Sequence, residues 1–207
     1  MLITFEGIEG SGKSTQVELL NDYLLSKGHT VVRTREPGGS LFGEALRKVL
    51  LQRDMNIFPL SELLVFMAMR AQHVEQVILP ALQERKIVLC DRFVDATYAY
   101  QGYGRSIDLG IIETLNRLVT KGIRPNLTIL LDVDVETGLT RKALHATMDR
   151  FEKEALSFHQ IIKDAYVKLS KEDSKRFFVV DGNREQSSVQ DMIRQKVEKL
   201  ISSYGIE

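Results

Sequence analysis

The stretch FEGIEGSGKSTQ, residues 5–16, decides how this chain is read. Gly7, Gly12, Lys13 and Ser14 fit G-x-x-x-x-G-K-[ST], a loop whose backbone wraps nucleotide phosphates. The motif needs its structural context, and the context is present. The apolar run Leu2–Phe5 can form a buried strand. The residues after the loop place Val17, Leu20 and Leu24 at helical spacing, and Lys27–Gly28 ends that helix. Strand, glycine loop and helix N-terminus together aim backbone N–H groups and the positive end of a helix dipole at one point, where an anion is expected. In such a loop Lys13 reaches the terminal phosphates and the Ser14 hydroxyl ligates Mg²⁺.

Working outward, 207 residues suffice for one α/β domain with a substantial core. Lys plus Arg number 28 and Asp plus Glu 28, which disfavours a nucleic-acid coat or a polybasic membrane anchor. The single cysteine, Cys90, excludes an intramolecular disulfide and reads as a small apolar strand residue in a reducing cytoplasm. The chain opens directly on a strand, with no signal-peptide pattern, and no apolar run reaches the roughly 18 residues that span a bilayer. A soluble cytoplasmic protein is expected.

Strand candidates recur at Leu2–Phe5, Thr30–Thr34, Ile87–Asp91, Leu127–Asp132 and Phe177–Asp181, separated by helical patterns. That alternation predicts a parallel sheet covered on both faces. In DLGIIETLNRLVTKG, Asp108 is a plausible N-cap, Gly122 a stop, and Ile111, Ile112, Leu115, Leu118 and Val119 one apolar face. Pro80 predicts a break or kink in the helical region 61–85. A last amphipathic helix is expected in SVQDMIRQKVEKLISSYG. Polar groups follow four strand ends: the glycine loop, TREPGG, DRF and DVD. Parallel sheets place ligands at that edge.

A phosphate loop implies a nucleoside triphosphate without saying what becomes of it. The D-x-x-G and N-K-x-D elements of a GTPase switch are absent, which favours small-molecule phosphoryl transfer over a nucleotide-dependent regulatory switch. Transfer needs positive charge around the moving phosphoryl group, and Arg35, Arg47, Arg70 and Arg92 lie near strand ends. Arg70 is the only formal charge in LLVFMAMRAQHV, and Phe66 lies four residues earlier on the same helical face. Two readings stand: a ring and guanidinium that receive a nucleobase, or a core phenylalanine beside an arginine paired to an acid. An unpaired buried arginine would cost several kcal/mol, on the order of a broken buried ion pair.

FEGIEGSGKSTQ, TREPGG, FMAMRAQHVEQVILPAL, DRFVDATYAYQGYGR, PNLTILLDVD and DRFEKE occur in this order, and together the chain resembles the bacterial thymidylate kinases over nearly its whole length. The resemblance implies a single domain over 1–207 with the P-loop kinase fold, a five-stranded parallel sheet flanked by helices, and a mobile lid near 141–153. It implies ATP and dTMP as partners, Mg²⁺ as cofactor, dTDP as product, and a homodimer with no nucleic-acid or membrane partner. The broader alternative is a kinase acting on another nucleoside monophosphate or small molecule.

Residue by residue, the resemblance assigns ATP binding to Gly7, Ile8, Glu9, Gly10, Ser11, Gly12, Lys13, Ser14 and Thr15. Phe66 would stack on thymine, Arg70 would reach a base carbonyl, and Thr97 would line the base pocket. Tyr100 would crowd a 2′-hydroxyl, with Gln101 nearby. Arg92, and with it Arg47 and Arg35, would hold the dTMP phosphate; Pro37 of TREPGG joins this set. Glu9 would face the sugar 3′-hydroxyl or the metal shell, unless it is an exposed loop acid. Beside Ser14 as metal ligand, Asp91 would orient the waters of Mg²⁺ or Lys13, unless it caps local backbone. The catalytic set implied is Lys13, Arg92, Glu9 and Arg150. Relatives with a glycine at the Gly10 position supply a cation from the lid. Here Arg150 is the first candidate and Arg141 the second, while His145 stands where an arginine is common. Arg150 could instead pair with Glu152 or Glu154.

Overall fold

The structure, a computed structural model, describes residues 1–143, 150–151 and 154–204. Five strands form one all-parallel sheet: β1 Leu2–Glu6, β2 Val31–Arg35, β3 Ile87–Asp91, β4 Leu127–Asp132 and β5 Phe177–Asp181. Their order is β2-β3-β1-β4-β5. The chain therefore leaves β1 toward one edge and later crosses to the other, which opens a crevice at the C-terminal end of β1. The expected strands are all present; β1 extends one residue further, to Glu6, and β2 is shifted by one.

Alternate residues on each strand face opposite layers. Ile3, Phe5, Leu89, Ile129 and Leu131 pack against α1 (Lys13–Ser26), through Val17, Leu20 and Leu24, and against α9 (Gln186–Tyr204). On the other face Leu2, Val88 and Cys90 meet Val74, Ile78 and Ala81. There Leu130 and Phe177 meet Phe158, Ile162 and Tyr166 of α8 (Leu156–Glu172). The β1 residues on this second face become polar toward its end: Thr4 pairs with Thr128 at 2.9 Å, and Glu6 is wholly buried.

Between β2 and β3 run α2 (Leu41–Leu50), α3 (Pro59–His73), a π-helical segment Val74–Ile78 and α4 (Leu79–Gln83). The interruption expected at Pro80 is thus a widened turn just before it. The π-turn lets the chain continue where proline supplies no N–H and crowds the preceding turn. α5 (Val94–Thr97) leads into a second π-helical segment, Tyr98–Gly104, then α6 (Leu109–Val119). Asp108 caps α6 by accepting from the N–H groups of Gly110 and Ile111. The single apolar face expected of α6 is corrected: Ile112 is buried with Leu115 and Val119 packed beside it, whereas Ile111 and Leu118 are exposed. α7 (Val135–Ala143) follows β4. Of the lid expected over 141–153, residues 144–149, including His145, and 152–153, including Glu152, lie outside the described residues.

Replacing Asp108 by Ala removes the cap while touching no cleft residue. We expect it to destabilise the fold by about 1 kcal/mol and leave turnover unchanged. Urea unfolding monitored by circular dichroism, beside an activity assay, checks this; an unaltered midpoint would show that the cap contributes nothing.

Candidate active site

The loops after β1, β2, β3 and β5 converge on a cleft of about 820 Å³. Glu9, Gly10, Ser11, Gly12, Lys13, Ser14 and Thr15 line it, as do Arg35, Pro37, Arg47, Phe66, Arg70, Asp91, Arg92, Thr97, Tyr100 and Gln101. Gly7 and Ile8 lie behind the loop; their carbonyl oxygens accept from the Lys13 ammonium at 3.1 and 2.7 Å. Burial first, and Arg92 second, push the Lys13 ammonium down to about 8 against the pull of Asp91, Glu9 and Glu6.

Gly12 opens α1 in the left-handed conformation, φ 92°, which aims the first N–H groups of the helix into the cleft. Gly10, φ 69°, is held by a close approach: a Cβ there would lie 1.8 Å from the Gly138 carbonyl oxygen on α7. Conversely, a Cβ on Gly138 would lie 2.5 Å from the Glu9 carbonyl oxygen. The phosphate loop and the helix that leads into the lid region thus meet backbone to backbone.

Beside the loop, four elements share one polar network. Glu6, at the end of β1, accepts from the Phe93 N–H and the Tyr166 hydroxyl, each at 2.7 Å. The Tyr166 oxygen accepts from Arg92 at 3.1 Å, and Arg92 also donates to Glu9 at 3.1 Å. The Tyr100 hydroxyl donates to the same Glu9 oxygen at 2.6 Å, and the Arg92 guanidinium lies 4.9 Å from the centre of the Tyr100 ring. Arg92 has φ 69°, uncommon for a residue with a side chain, and the contacts just described hold it there. Burial alone would raise the Glu9 carboxyl, but Arg92, His159, Lys13 and Tyr100 hold it far below the ordinary carboxylate range.

Across the cleft, half-buried Phe66 and Phe151 form an edge-to-face pair, with centroids 6.1 Å apart and planes at 60°. Arg70 lines the cleft and is also paired to an acid. It donates to Glu36 at 2.7 Å, Thr97 at 2.8 Å, Asn116 at 2.6 Å and the Phe93 carbonyl at 2.9 Å. A second guanidinium nitrogen of Arg70 lies 2.7 Å from the same Glu36 oxygen. A ligand carbonyl at Arg70 therefore shares or displaces one of these partners. Glu36 is buried, yet Arg70 and then His73 keep its carboxyl below the ordinary range.

Arg150 is not brought to the cleft. It pairs with buried Glu62 at 2.6 Å and donates to the Leu50 carbonyl at 3.1 Å. Glu62 also accepts from Gln101 at 2.8 Å and pairs with Arg105, while Arg105 pairs with Glu154 at 2.6 Å. The cations that line the cleft from α7 are Arg141 and Lys142, with Arg141 donating to the Gly182 carbonyl at 3.0 Å. Ser14 donates to Asp91 at 2.6 Å, a hydroxyl and a carboxylate adjoining the loop. Sequence reading missed Glu6, Glu36, Glu62, His159 and Tyr166, and also the Gly182–Gln186 turn that closes the far end of the cleft. For that turn a signal exists: DGNREQ follows a strand end, as the other site loops do.

Burial first, and Asp95 second, push the Glu6 carboxyl up to about 8 from 4.5, despite Arg92, Tyr166 and the Phe93 N–H. Between those values the folded chain retains a proton that the unfolded chain has released. Stability contributed by this group is therefore complete below the unfolded value and is lost as pH rises through the folded one. Glu6→Gln copies the neutral acid. Its Tm, minus that of the wild type, should grow from about pH 5 to about pH 8 and then level off. Thermal melts across that range test it, and parallel curves would contradict it.

Comparison with known proteins bears on this geometry. The family model for thymidylate kinase matches residues 5–193. A thymidylate kinase of Geotalea uraniireducens (strain Rf4) is 49% identical over 189 residues, covering 88% of this chain and 89% of that one. One from Geotalea daltonii (strain DSM 22248 / JCM 15807 / FRC-32) is 51% identical over 188 residues, covering 87% and 88%. The crystal structure of thymidylate kinase from Ehrlichia chaffeensis superposes with a TM-score of 0.80 at 37% identity, covering 95% of this chain and 98% of that one.

Proposed function

The chain belongs to the thymidylate kinase family, and from that premise we propose how its cleft phosphorylates dTMP to dTDP. One observation carries the reading. The phosphate loop and the wall built from Phe66, Arg70, Arg92, Thr97 and Tyr100 face a single cleft, so a triphosphate and a monophosphate can meet in it.

ATP is the donor, with its phosphates on the loop from Gly7 to Thr15 and its nucleoside end toward Gly182–Gln186 and Arg141. The thymine of dTMP stacks on Phe66 beside Arg70 and Thr97. Tyr100 fills the space a 2′-hydroxyl would need, and Glu9 meets the sugar 3′-hydroxyl. The dTMP phosphate is held by Arg92, whose planar fork suits phosphate oxygens, with Arg47 and Arg35 nearer the entrance. An oxygen of that phosphate attacks the terminal phosphorus of ATP, the bond to the bridging oxygen breaks, and ADP leaves. Such a transition state spreads charge over the moving phosphoryl oxygens, so catalysis is positioning plus electrostatic stabilisation. Lys13 and Arg92 supply it from the two sides, and Arg141, not Arg150, brings the lid's positive charge.

Ser14 and Asp91 offer hard oxygen donors, which suit Mg²⁺ held through one or two protein groups, waters and substrate phosphates. When bound, the ion neutralises phosphate charge. No cluster of three or more metal-ligating side chains exists among the described residues, in keeping with a metal that relies on its substrate.

The working unit in this proposal is a cytoplasmic homodimer. Phe58, Leu60 and Leu64 of the α3 region and Ile111 and Leu118 of α6 are exposed apolar side chains on two helices that pack together, a surface suited to a second copy. Among the described residues no helix is long and apolar enough to cross a membrane. The balanced charge gives no basis for a nucleic-acid partner.

Lys13→Ala should lower kcat by about 10²–10³ while the chain stays folded. Steady-state assay beside circular dichroism measures it, and undiminished turnover in a folded variant would remove Lys13 from the chemistry. In a panel of monophosphates with ATP and Mg²⁺, dTMP should exceed dCMP and dGMP by roughly 10⁴ in kcat/KM. Its lead over dUMP should be only that of one methyl group, about 1–3 kcal/mol. Equal use of dCMP, or a Phe66→Ala enzyme with unchanged rates and ranking, would refute the base pocket.

A further inference from the structure

His73 and His159 are both fully buried, and their surroundings differ. The ring nitrogens of His73 lie 2.9 Å from Glu36 and 2.6 Å from Thr34. His159, in the first turn of α8, has no hydrogen-bond partner at either ring nitrogen among the described residues. Buried polar atoms are nearly always paired, so an exception calls for a cause. The atom facing this one is itself an exception. Glu9 Oε2 is buried without a hydrogen bond, 3.5 Å from His159 Nδ1, while Glu9 Oε1 is taken by Tyr100 and Arg92. His159 is not among the residues lining the cleft; it stands behind Glu9, with the Phe158 ring edge-on at 6.0 Å.

We propose that His159 is a positioning residue for Glu9: with dTMP bound, its Nδ1–H donates to Glu9 Oε2 and fixes the carboxylate against the sugar hydroxyl. The proposal rests on the reading of Glu9 as the group that meets the sugar. A shift of roughly half an ångström brings the two atoms within ordinary hydrogen-bonding distance. The positive end of α8 favours the same arrangement, because Glu9 is an anion beside its first turn. His159 touches no substrate in this arrangement and acts only through the carboxylate.

The test compares wild type, Glu9→Gln, His159→Leu and the double variant, with kcat and KM measured separately for dTMP and ATP. Each single variant should lower kcat/KM for dTMP by about 10- to 100-fold, with KM for ATP within about twofold of wild type. The double variant should be no worse than Glu9→Gln alone, because both changes remove one interaction. His159→Asn, whose amide nitrogen reaches the Nδ1 position, should recover most of the loss; His159→Gln, reaching toward Nε2, should not. An unimpaired Glu9→Gln enzyme would overturn the reading beneath the proposal. An impaired Glu9→Gln with an unimpaired His159→Leu, or with additive losses in the double variant, would overturn the positioning role alone. Should His159→Leu fail to fold, the Asn and Gln variants carry the test, and equal kinetics for those two would overturn it.

Discussion

A carboxyl group buried at the end of the central strand is the constraint on which this architecture depends. Glu6 lies where apolar residues would pack with least cost, and burial alone would make its charge expensive. The group therefore keeps its proton up to about pH 8, and the Phe93 N–H and the Tyr166 hydroxyl satisfy its oxygens. Those donors come from the loop after β3 and from α8, so satisfying one buried group joins three separate elements. Arg92 is held by the same tyrosine and by Glu9, which places a guanidinium against the phosphate loop before any ligand arrives. Groups aimed in advance need no reorganisation when charge develops.

The same device recurs at the rim. Glu36 gathers Arg70 and His73, and Glu62 gathers Gln101, Arg105 and Arg150. Each is a nearly inaccessible acid surrounded by donors from other segments, so removing one member would strand a buried charge. Glu62 also explains where Arg150 goes. A cation that the sequence places on the lid serves to anchor the chain where the lid region ends, and α7 is left to supply charge to the cleft.

Legibility in the sequence followed the range of the interactions. Strand positions, the glycine loop and the Asp108 cap are local patterns, and the observed elements coincide with them closely. Arg70 stood out as a charge in an apolar helix, so its need for a partner was evident, although Glu36 could not be named. Glu6, by contrast, reads as an ordinary acid at a strand end, because burial at that point is decided by Phe93 and Tyr166, far along the chain. His159 and Tyr166 sit seven residues apart on one face of α8, a spacing that ordinary core residues share. The apolar stripe of α6 is wider than its buried side, because periodicity cannot tell which part of the stripe meets α3. The π-turn before Pro80 is invisible to a reading that assumes 3.6 residues per turn.

The contact between Gly10 and Gly138 carries a consequence for how such a chain can change by descent. A side chain at either position collides with the backbone of the other segment, at 1.8 Å in one direction and 2.5 Å in the other. Neither site can therefore take a side chain, singly or together, while α7 is seated on the loop. A lineage that moved a cation into the phosphate loop at position 10 would first have to unseat α7, and with it the region that otherwise delivers positive charge. Where the cations of the cleft sit, in the loop or on α7, is thus tied to the seating of that helix.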